Sequence, residues 1–444
     1  MLPKLLYLGF AFPPGVAGLF PEAQPAGHLI ETSAVNALRP WFEIRSVGIS
    51  WIRVEDVPPG DPSPGLPHAL NLLEANPVVF YRLVALHRLK RQYRSWIAGG
   101  WIPKAILMCN FSPVYNGFIR WLKKQPNPPV VIVYLGDSLS LQRKFSWTKR
   151  LRYRLKPLIW PDSKMVRYVD GCAALSLATQ EFFTARQLPW LWINGCAPER
   201  AVQAKPNAAD GPIRFGYFGA FAPHTGLPDL IRVFTGLVRR SELHICGFGK
   251  NKTAILKQCG DHQQIRLHGP RTPDECLQLA QSWDVLVNPR PIWPGNENNF
   301  PSKIFEYALS GRAILTSRVS GADKILGDQA YYFDEYDYDR SLGNALDQLI
   351  QVPRAELNRL GASLQERLLT NYSWAQQGER LASFIQLVLA ETRANRQIPV
   401  APRSPGSAAQ HQPAGRVEGL GAGLPEATGT IPVPRHTPEP PDSE

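Results

Sequence analysis

The chain has 444 residues, 44% of them apolar, which is too long for one core and suits two domains of ordinary size. Its formal net charge is +12, and the excess is local: between Arg143 and Arg167 nine Lys or Arg residues stand against one acidic residue, Asp162. Six cysteines without a CxxC pair argue against a disulfide scaffold or a structural zinc site, and no apolar run approaches the ~20 residues of a membrane helix.

Met1 to Phe20 carries Lys4 ahead of an apolar run, like a signal peptide, but Pro13 and Pro14 interrupt it early. Leu5 to Phe10 reads better as a buried first strand. The loop Phe12 to Gly18 follows, and a helix is expected from His28 to Leu38. Further strands are expected at Phe42–Val47, Ala105–Cys109, Val130–Tyr134 and Gly171–Leu175, while segments 53–70 and 88–104 read as insertions without an assigned element. Asn110, Ser112 and Gly136 to Ser138 follow two of these strands, so they fall on one rim, with Asp137 the polar residue best suited to a substrate hydroxyl. An Asp-Ser turn explains Asp137 equally well.

The basic stretch 143–167 interleaves Phe145, Trp147, Tyr153 and Trp160 with its charges. Such a segment fits an anionic membrane surface or simply a solvated helix; no nucleic-acid module is recognisable, so nucleic acid is not an expected partner. The polar stretch 203–212 reads as a linker between an N-terminal domain, 1–202, and a C-terminal one, 213–372.

From Ile213 onward strand and helix signals alternate. Strands are expected at Ile213–Gly219, Glu242–Gly247, Ile265–Gly269, Asp284–Asn288, Ala313–Ser317 and Ala330–Phe333. Helices are expected at Leu227–Val238, Thr253–Gln258 and Ser302–Leu309. Thr272, Pro273 and Glu275 spell a capping box opening another helix. The repeat means α/β architecture: two Rossmann-like domains with parallel, doubly wound sheets. A last helix spans 373–396, and the Pro- and Gly-rich tail 397–444 is expected to be disordered.

In open α/β sheets ligands bind beyond the carboxyl ends of the strands, which points to the loops after Gly219, Gly247, Asn288 and Ser317. Ser302 is placed to cap its helix, leaving the amides behind it for a phosphate. Lys303 adds a positive charge and Arg290 a second. Glu306 lies one turn on, on the same helical face, within reach of ribose hydroxyls. Gly216–Gly219 is not GxGxxG, and the stretch after Gly249 lacks P-loop spacing. Asp337-Tyr-Asp339 mimics a metal-binding DxD but reads as a turn and cap.

The run Asn299 to Ser317, NFPSKIFEYALSGRAILTS, resembles the donor-site signature of the retaining, GT-B-fold family 4 glycosyltransferases. Gly216–Gly219, Ile245–Gly249, Asp284–Pro289 and Trp192–Gly195 resemble further family motifs in the same order. The resemblance covers about 165–390. It implies two Rossmann-like domains facing a cleft, an N-terminal half for a carbohydrate or lipid-linked acceptor, and a C-terminal half for a nucleotide diphosphate sugar.

By that resemblance Glu306 holds the ribose, while Gly219, Gly249, Arg290, Pro301, Ser302 and Lys303 line the diphosphate. Asn298 stands where the family has a Glu that contacts the donor sugar, and Ala220 to Gly226 lacks the family's Arg and Lys. No cofactor and no metal are expected, and the location implied is cytoplasmic, peripheral to the inner face of the membrane. A sugar-nucleotide epimerase or phosphorylase, or a catalytically silent binding protein on the same scaffold, are the alternatives.

Overall fold

The computed structural model describes residues 1–9, 25–50, 73–74, 81–136, 162–193, 206, 211–236, 241–293, 296 and 302–397. The N-terminal sheet is built from β1 (Lys4–Leu8), β2 (Glu43–Val47), β5 (Ala105–Cys109), β6 (Val130–Leu135), β7 (Gly171–Ala174) and β8 (Trp190–Trp192). Its order is β2-β1-β5-β6-β7-β8, every pairing parallel. A separate short pair, β3 (Ile49–Ser50) and β4 (Leu73–Glu74), is also parallel.

Every residue of β5 and β6 is buried, because helices cover both faces of the sheet and leave no side for polar residues. On one face Leu6, Leu8, Ile106 and Val131 pack under α2 (Tyr81–Ala98) and α3 (Pro113–Leu122). On the other, Leu5, Tyr7, Leu107 and Ile132 meet Val35 and Leu38 of α1 (Pro25–Leu38) and Leu381 and Ile385 of the last helix.

The C-terminal sheet comprises β9 (Ile213–Ala220), β10 (Ser241–Phe248), β11 (Ile265–Gly269), β12 (Val285–Asn288), β13 (Ala313–Thr316) and β14 (Tyr331–Tyr332). Its order is β11-β10-β9-β12-β13-β14, again all parallel. This is the doubly wound order 3-2-1-4-5-6, with its reversal between β9 and β12. The N-terminal sheet reverses between β1 and β5.

Connecting elements include α4 (Asp162–Met165), α5 (Gln180–Thr184), α6 (Leu227–Thr235), α7 (Lys252–Cys259), α8 (Pro273–Ala280), α9 (Lys303–Ala308), α10 (Ala322–Leu326), α11 (Tyr338–Gln351) and α12 (Arg354–Asn371). The capping box at α8 forms as expected: Thr272 Oγ1 accepts from the Glu275 amide, and Glu275 accepts from the Thr272 amide at 2.8 Å.

Helix α2 falls largely in the stretch read as an unassigned insertion. Its buried residues Ala85, Leu86, Leu89, Tyr93 and Trp96 keep helical spacing. The Arg and Lys residues between them obscure that pattern in the sequence, and Lys90 and Arg94 lay their cations over Trp121 at 5.5 and 5.2 Å.

The last helix, α13 (Trp374–Gln397), leaves the C-terminal half and returns to the first sheet. A Cβ on Gly378 would lie 2.5 Å from Ala37 Cβ, and one on Gly171 would lie 3.2 Å from Val388 and 3.3 Å from Phe384. Near the expected linker, Arg354 donates to the carbonyls of Gly211 and Pro212 and to buried Asp284, whose other oxygen accepts from the Arg214 amide. Among the described residues no helix is long and apolar enough to cross a membrane. The Phe12 to Gly18 loop, the basic stretch up to 161 and the tail from 398 lie outside the described residues.

Candidate active site

The reversal between β9 and β12 creates a crevice where the loop after one strand turns away from the loop after the other. Close approach of backbone at this edge depends on glycine. A Cβ on Gly247 would sit 1.9 Å from the Gly219 carbonyl oxygen, and one on Gly249 would sit 2.7 Å from that of Phe221. Gly219 leaves room for a side chain instead: its Cβ would lie 2.5 Å from Lys303 Cε.

Lys303, the first residue of α9, therefore runs across the end of β9. Its ammonium donates to Glu306 Oε2 at 2.9 Å and lies 5.7 Å from the centre of the Phe218 ring. Both side chains are half-exposed, so the pair is accessible to a ligand. Tyr307, on the buried side of α9, fixes the helix to β9 by donating to the Phe218 carbonyl at 3.1 Å.

The expected cap is absent. Ser302 has φ −52° and ψ −25°, already helical, and its hydroxyl makes no capping bond. An N-cap serine needs extended backbone to turn its oxygen onto the amides ahead, so helical geometry at Ser302 removes that role.

Arg290 follows β12. Its Nη2 donates to Asn296 Oδ1 at 3.2 Å, and its carbonyl accepts from Ser317 Oγ at 2.6 Å. Buried Asn296 donates through Nδ2 to the carbonyls of His224 and Pro291 at 2.8 and 2.9 Å, and its own carbonyl accepts from Ser320 Oγ. Asn296 thus joins the loops after β9, β12 and β13. The sequence reading passed over it; its only signal was its place between Arg290 and the signature run.

The electrostatics place these groups around one spot. Burial chiefly, and then the Arg290 charge, push the His224 imidazole below its usual value. Burial raises the Tyr217 hydroxyl, with Arg290 opposing and Glu306 adding to the rise. Tyr217 thus lies between the guanidinium and the carboxylate, and donates to the Ala220 carbonyl at 2.8 Å.

The structure therefore brings Gly219, Gly249, Arg290, Lys303 and Glu306 to the carboxyl edge of the C-terminal sheet, with Ser302 beside them. Pro301, Asn298 and Asp137 lie outside the described residues. Next to Asp137, the Gly136 amide donates to Asn110 Oδ1 at 3.0 Å, while Ser112 caps α3. Asp339 takes the Arg232 guanidinium on both oxygens, and Asp337 stands at the start of α11 without a side-chain capping bond. The described cysteines are buried and free, and Cys246 and Cys276 bring their sulfurs to 3.6 Å.

Two parallel doubly wound sheets, the second carrying a crevice edged by Lys303, Glu306 and Arg290, define the GT-B class of fold. Within it, residues 212–352 match the family model described as glycosyl transferases group 1, and this half of the chain belongs to that family.

Solved structures of the same fold include the sucrose-phosphate synthase from Thermosynechococcus elongatus, with TM-score 0.64 and 13% identity over 87% of this chain and 100% of that one. The lipopolysaccharide outer core galactosyltransferase WaaB, in its apo form, has TM-score 0.62 and 13% identity over 86% and 99%. Anabaena HepE in complex with UDP and glucose has TM-score 0.56 and 14% identity over 87% and 100%. At such identities the likeness establishes the fold alone. A search of the curated proteins gives no match.

Proposed function

We propose that the protein transfers a sugar from a nucleotide diphosphate sugar to a hydroxyl, with retention of configuration, in polysaccharide or glycolipid assembly. The observation that carries the reading is the Lys303–Glu306 pair at 2.9 Å, laid across Gly219 at the point where the sheet reverses its order. The family match over this half and the UDP and glucose of the Anabaena structure support it.

In this reading the diphosphate lies over Gly219 and Gly249, where small residues let it approach the backbone, beside Pro301, Ser302 and the first turn of α9. As the bond from the anomeric carbon to the diphosphate oxygen breaks, negative charge gathers on the leaving group. Lys303 and Arg290 stabilise that charge electrostatically in a site fixed beforehand. Glu306 exchanges its contact with Lys303 for the ribose hydroxyls, Asn298 faces the donor sugar, and Asp137 receives the acceptor hydroxyl. No enzymic nucleophile, cofactor or metal is assigned. The acceptor is a carbohydrate or a lipid-linked one, and the basic stretch 143–167 meets an anionic membrane surface on the cytoplasmic side.

Asn298, in place of a Glu, favours a second reading, a binding protein without turnover. Release of nucleoside diphosphate from UDP, GDP and ADP sugars separates the two, since only the transferase liberates it. Glu306→Ala is expected to weaken nucleotide binding by about tenfold or more, the loss of hydrogen bonds to a charged group. Unchanged affinity removes Glu306 from the ribose.

A further inference from the structure

The N-terminal sheet has its own reversal, between β1 and β5, and a line of polar contacts crosses it. Tyr7 sits in the middle of β1 with its ring fully buried between β1 and α1. Its hydroxyl donates to Glu31 Oε2 at 2.7 Å. The Cys109 thiol, at the end of β5, also bonds to that hydroxyl. Cys109 Sγ accepts from Asn110 Nδ2 at 3.7 Å, and Asn110 Oδ1 accepts from the Gly136 amide beyond β6. Asn110 adopts φ +54°, a conformation few residues other than glycine take, and holds it at this edge.

Glu31 is the charged member of the line, carried on α1 and half-buried. The chain keeps space for it at the end of β1. A Cβ on Gly9 would lie 2.4 Å from Glu31 Oε2 and 2.8 Å from the Tyr7 hydroxyl, so a larger residue at position 9 would displace the carboxylate. Packing does not call for this arrangement, because an apolar pair fills such a space without desolvating a charge. A carboxylate accepts hydrogen bonds at about four lone-pair positions, so the Tyr7 hydroxyl orients it while it binds other donors. Burial and the neighbouring Cys109 and Glu31 hold the Tyr7 proton in place, so Tyr7 stays a donor across the working pH range.

We propose that Glu31 is a hydroxyl-binding carboxylate at the switch point of the N-terminal sheet, oriented by Tyr7, and that it receives a sugar or other polyol. The word acceptor for that ligand rests on the transferase reading; the hydroxyl site does not. The chemistry is recognition of neighbouring hydroxyl groups, each donating to the carboxylate, with the Asn110 side chain and Gly136 on the same edge.

The test is saturation-transfer NMR of the full chain with methyl and octyl glucosides, galactosides and mannosides, without any donor. Wild type is expected to bind at least one hexoside, Glu31→Gln to bind it about tenfold more weakly, and Tyr7→Phe about threefold, as charged and neutral hydrogen bonds are lost. Affinity for UDP, GDP or ADP and the thermal midpoint are expected to stay as in wild type for Glu31→Gln. Equal hexoside affinity in wild type and Glu31→Gln, or no hexoside bound by wild type, overturns the proposal. So does a lowered thermal midpoint with unchanged hexoside affinity, which assigns Glu31 to packing. If Glu31→Gln does not fold, Tyr7→Phe decides by the same titration. Failure of wild type to bind any nucleotide counts against the transferase reading alone, since the hexoside titration contains none.

Discussion

Lys303 and Gly219 share one space: the lysine stem occupies the volume a side chain on the glycine would fill, 2.5 Å from the place of its Cβ. The lysine ammonium is thereby led to Glu306, 2.9 Å away.

Gly219→Ala tests that relationship. The atom in the way is the far end of a flexible side chain, so Lys303 swings aside and the fold tolerates the change, with less than about 1 kcal/mol lost. Nucleotide diphosphate affinity is expected to fall by about tenfold, the loss of one charge-assisted contact. Calorimetric titration with UDP, GDP and ADP beside a urea melt measures both; a stability loss with intact affinity refutes the shared-space account.

Asn296→Ala removes a buried side chain that donates to two carbonyls and accepts from Arg290. The carbonyls of His224 and Pro291 lose a donor, at a cost of about 1–3 kcal/mol. The site suffers as well, because Arg290 loses an anchor. Urea unfolding and nucleotide titration are both expected to shift, whereas an exposed control such as Asp274→Ala moves neither.

Arg354 and Asp284 form an ion pair whose acid is almost wholly buried, 2% exposed at its side chain, and Arg354 also holds the carbonyls before β9. Arg354→Ala leaves that carboxylate without its cation and is expected to destabilise by about 3–5 kcal/mol. A loss under 1 kcal/mol in urea unfolding would mean that water reaches Asp284 freely.

His244 and His268 stack with their ring nitrogens 2.9 Å apart, facing Glu242, Arg214 and Arg271. Burial is the main cause lowering both imidazoles, so the fold resists protons that the unfolded chain accepts. Stability from this pair is complete above the unfolded value, about 6.5, and declines as pH falls below it towards the folded values. Thermal midpoints between pH 7.5 and 5 are expected to drop less steeply in a His244→Gln, His268→Gln double variant. Parallel curves for the two proteins would exclude the pair as the source.

The strands were legible because buried parallel strands are written as apolar runs: Asp284–Asn288 was expected, and β12 spans Val285–Asn288. The α8 capping box was legible from three residues, since Thr272, Pro273 and Glu275 act locally. Ser302 misled for a related reason. The same residue type suits an N-cap, but only backbone geometry, here already helical, decides whether its hydroxyl turns inward.

The crevice was half legible. Lys303 and Glu306 stand three apart on one helix, so their pairing follows from helical spacing. Asn296 and Glu31 were not, because their partners, the His224 carbonyl and the Tyr7 hydroxyl, come from segments 72 and 24 residues away and only the folded sheets bring them together.

Helix α13 belongs in sequence to the end of the second half, yet it roofs the first: Leu381, Phe384, Ile385 and Val388 cover Leu5, Leu107 and Ile132. The first half is therefore discontinuous in the chain, and a fragment cut at the linker would expose to water the apolar surface that this returning segment shelters. Division of labour between two substrates here does not come with independence of folding; the strand-bearing half that meets one partner is completed by the last folded piece of the other.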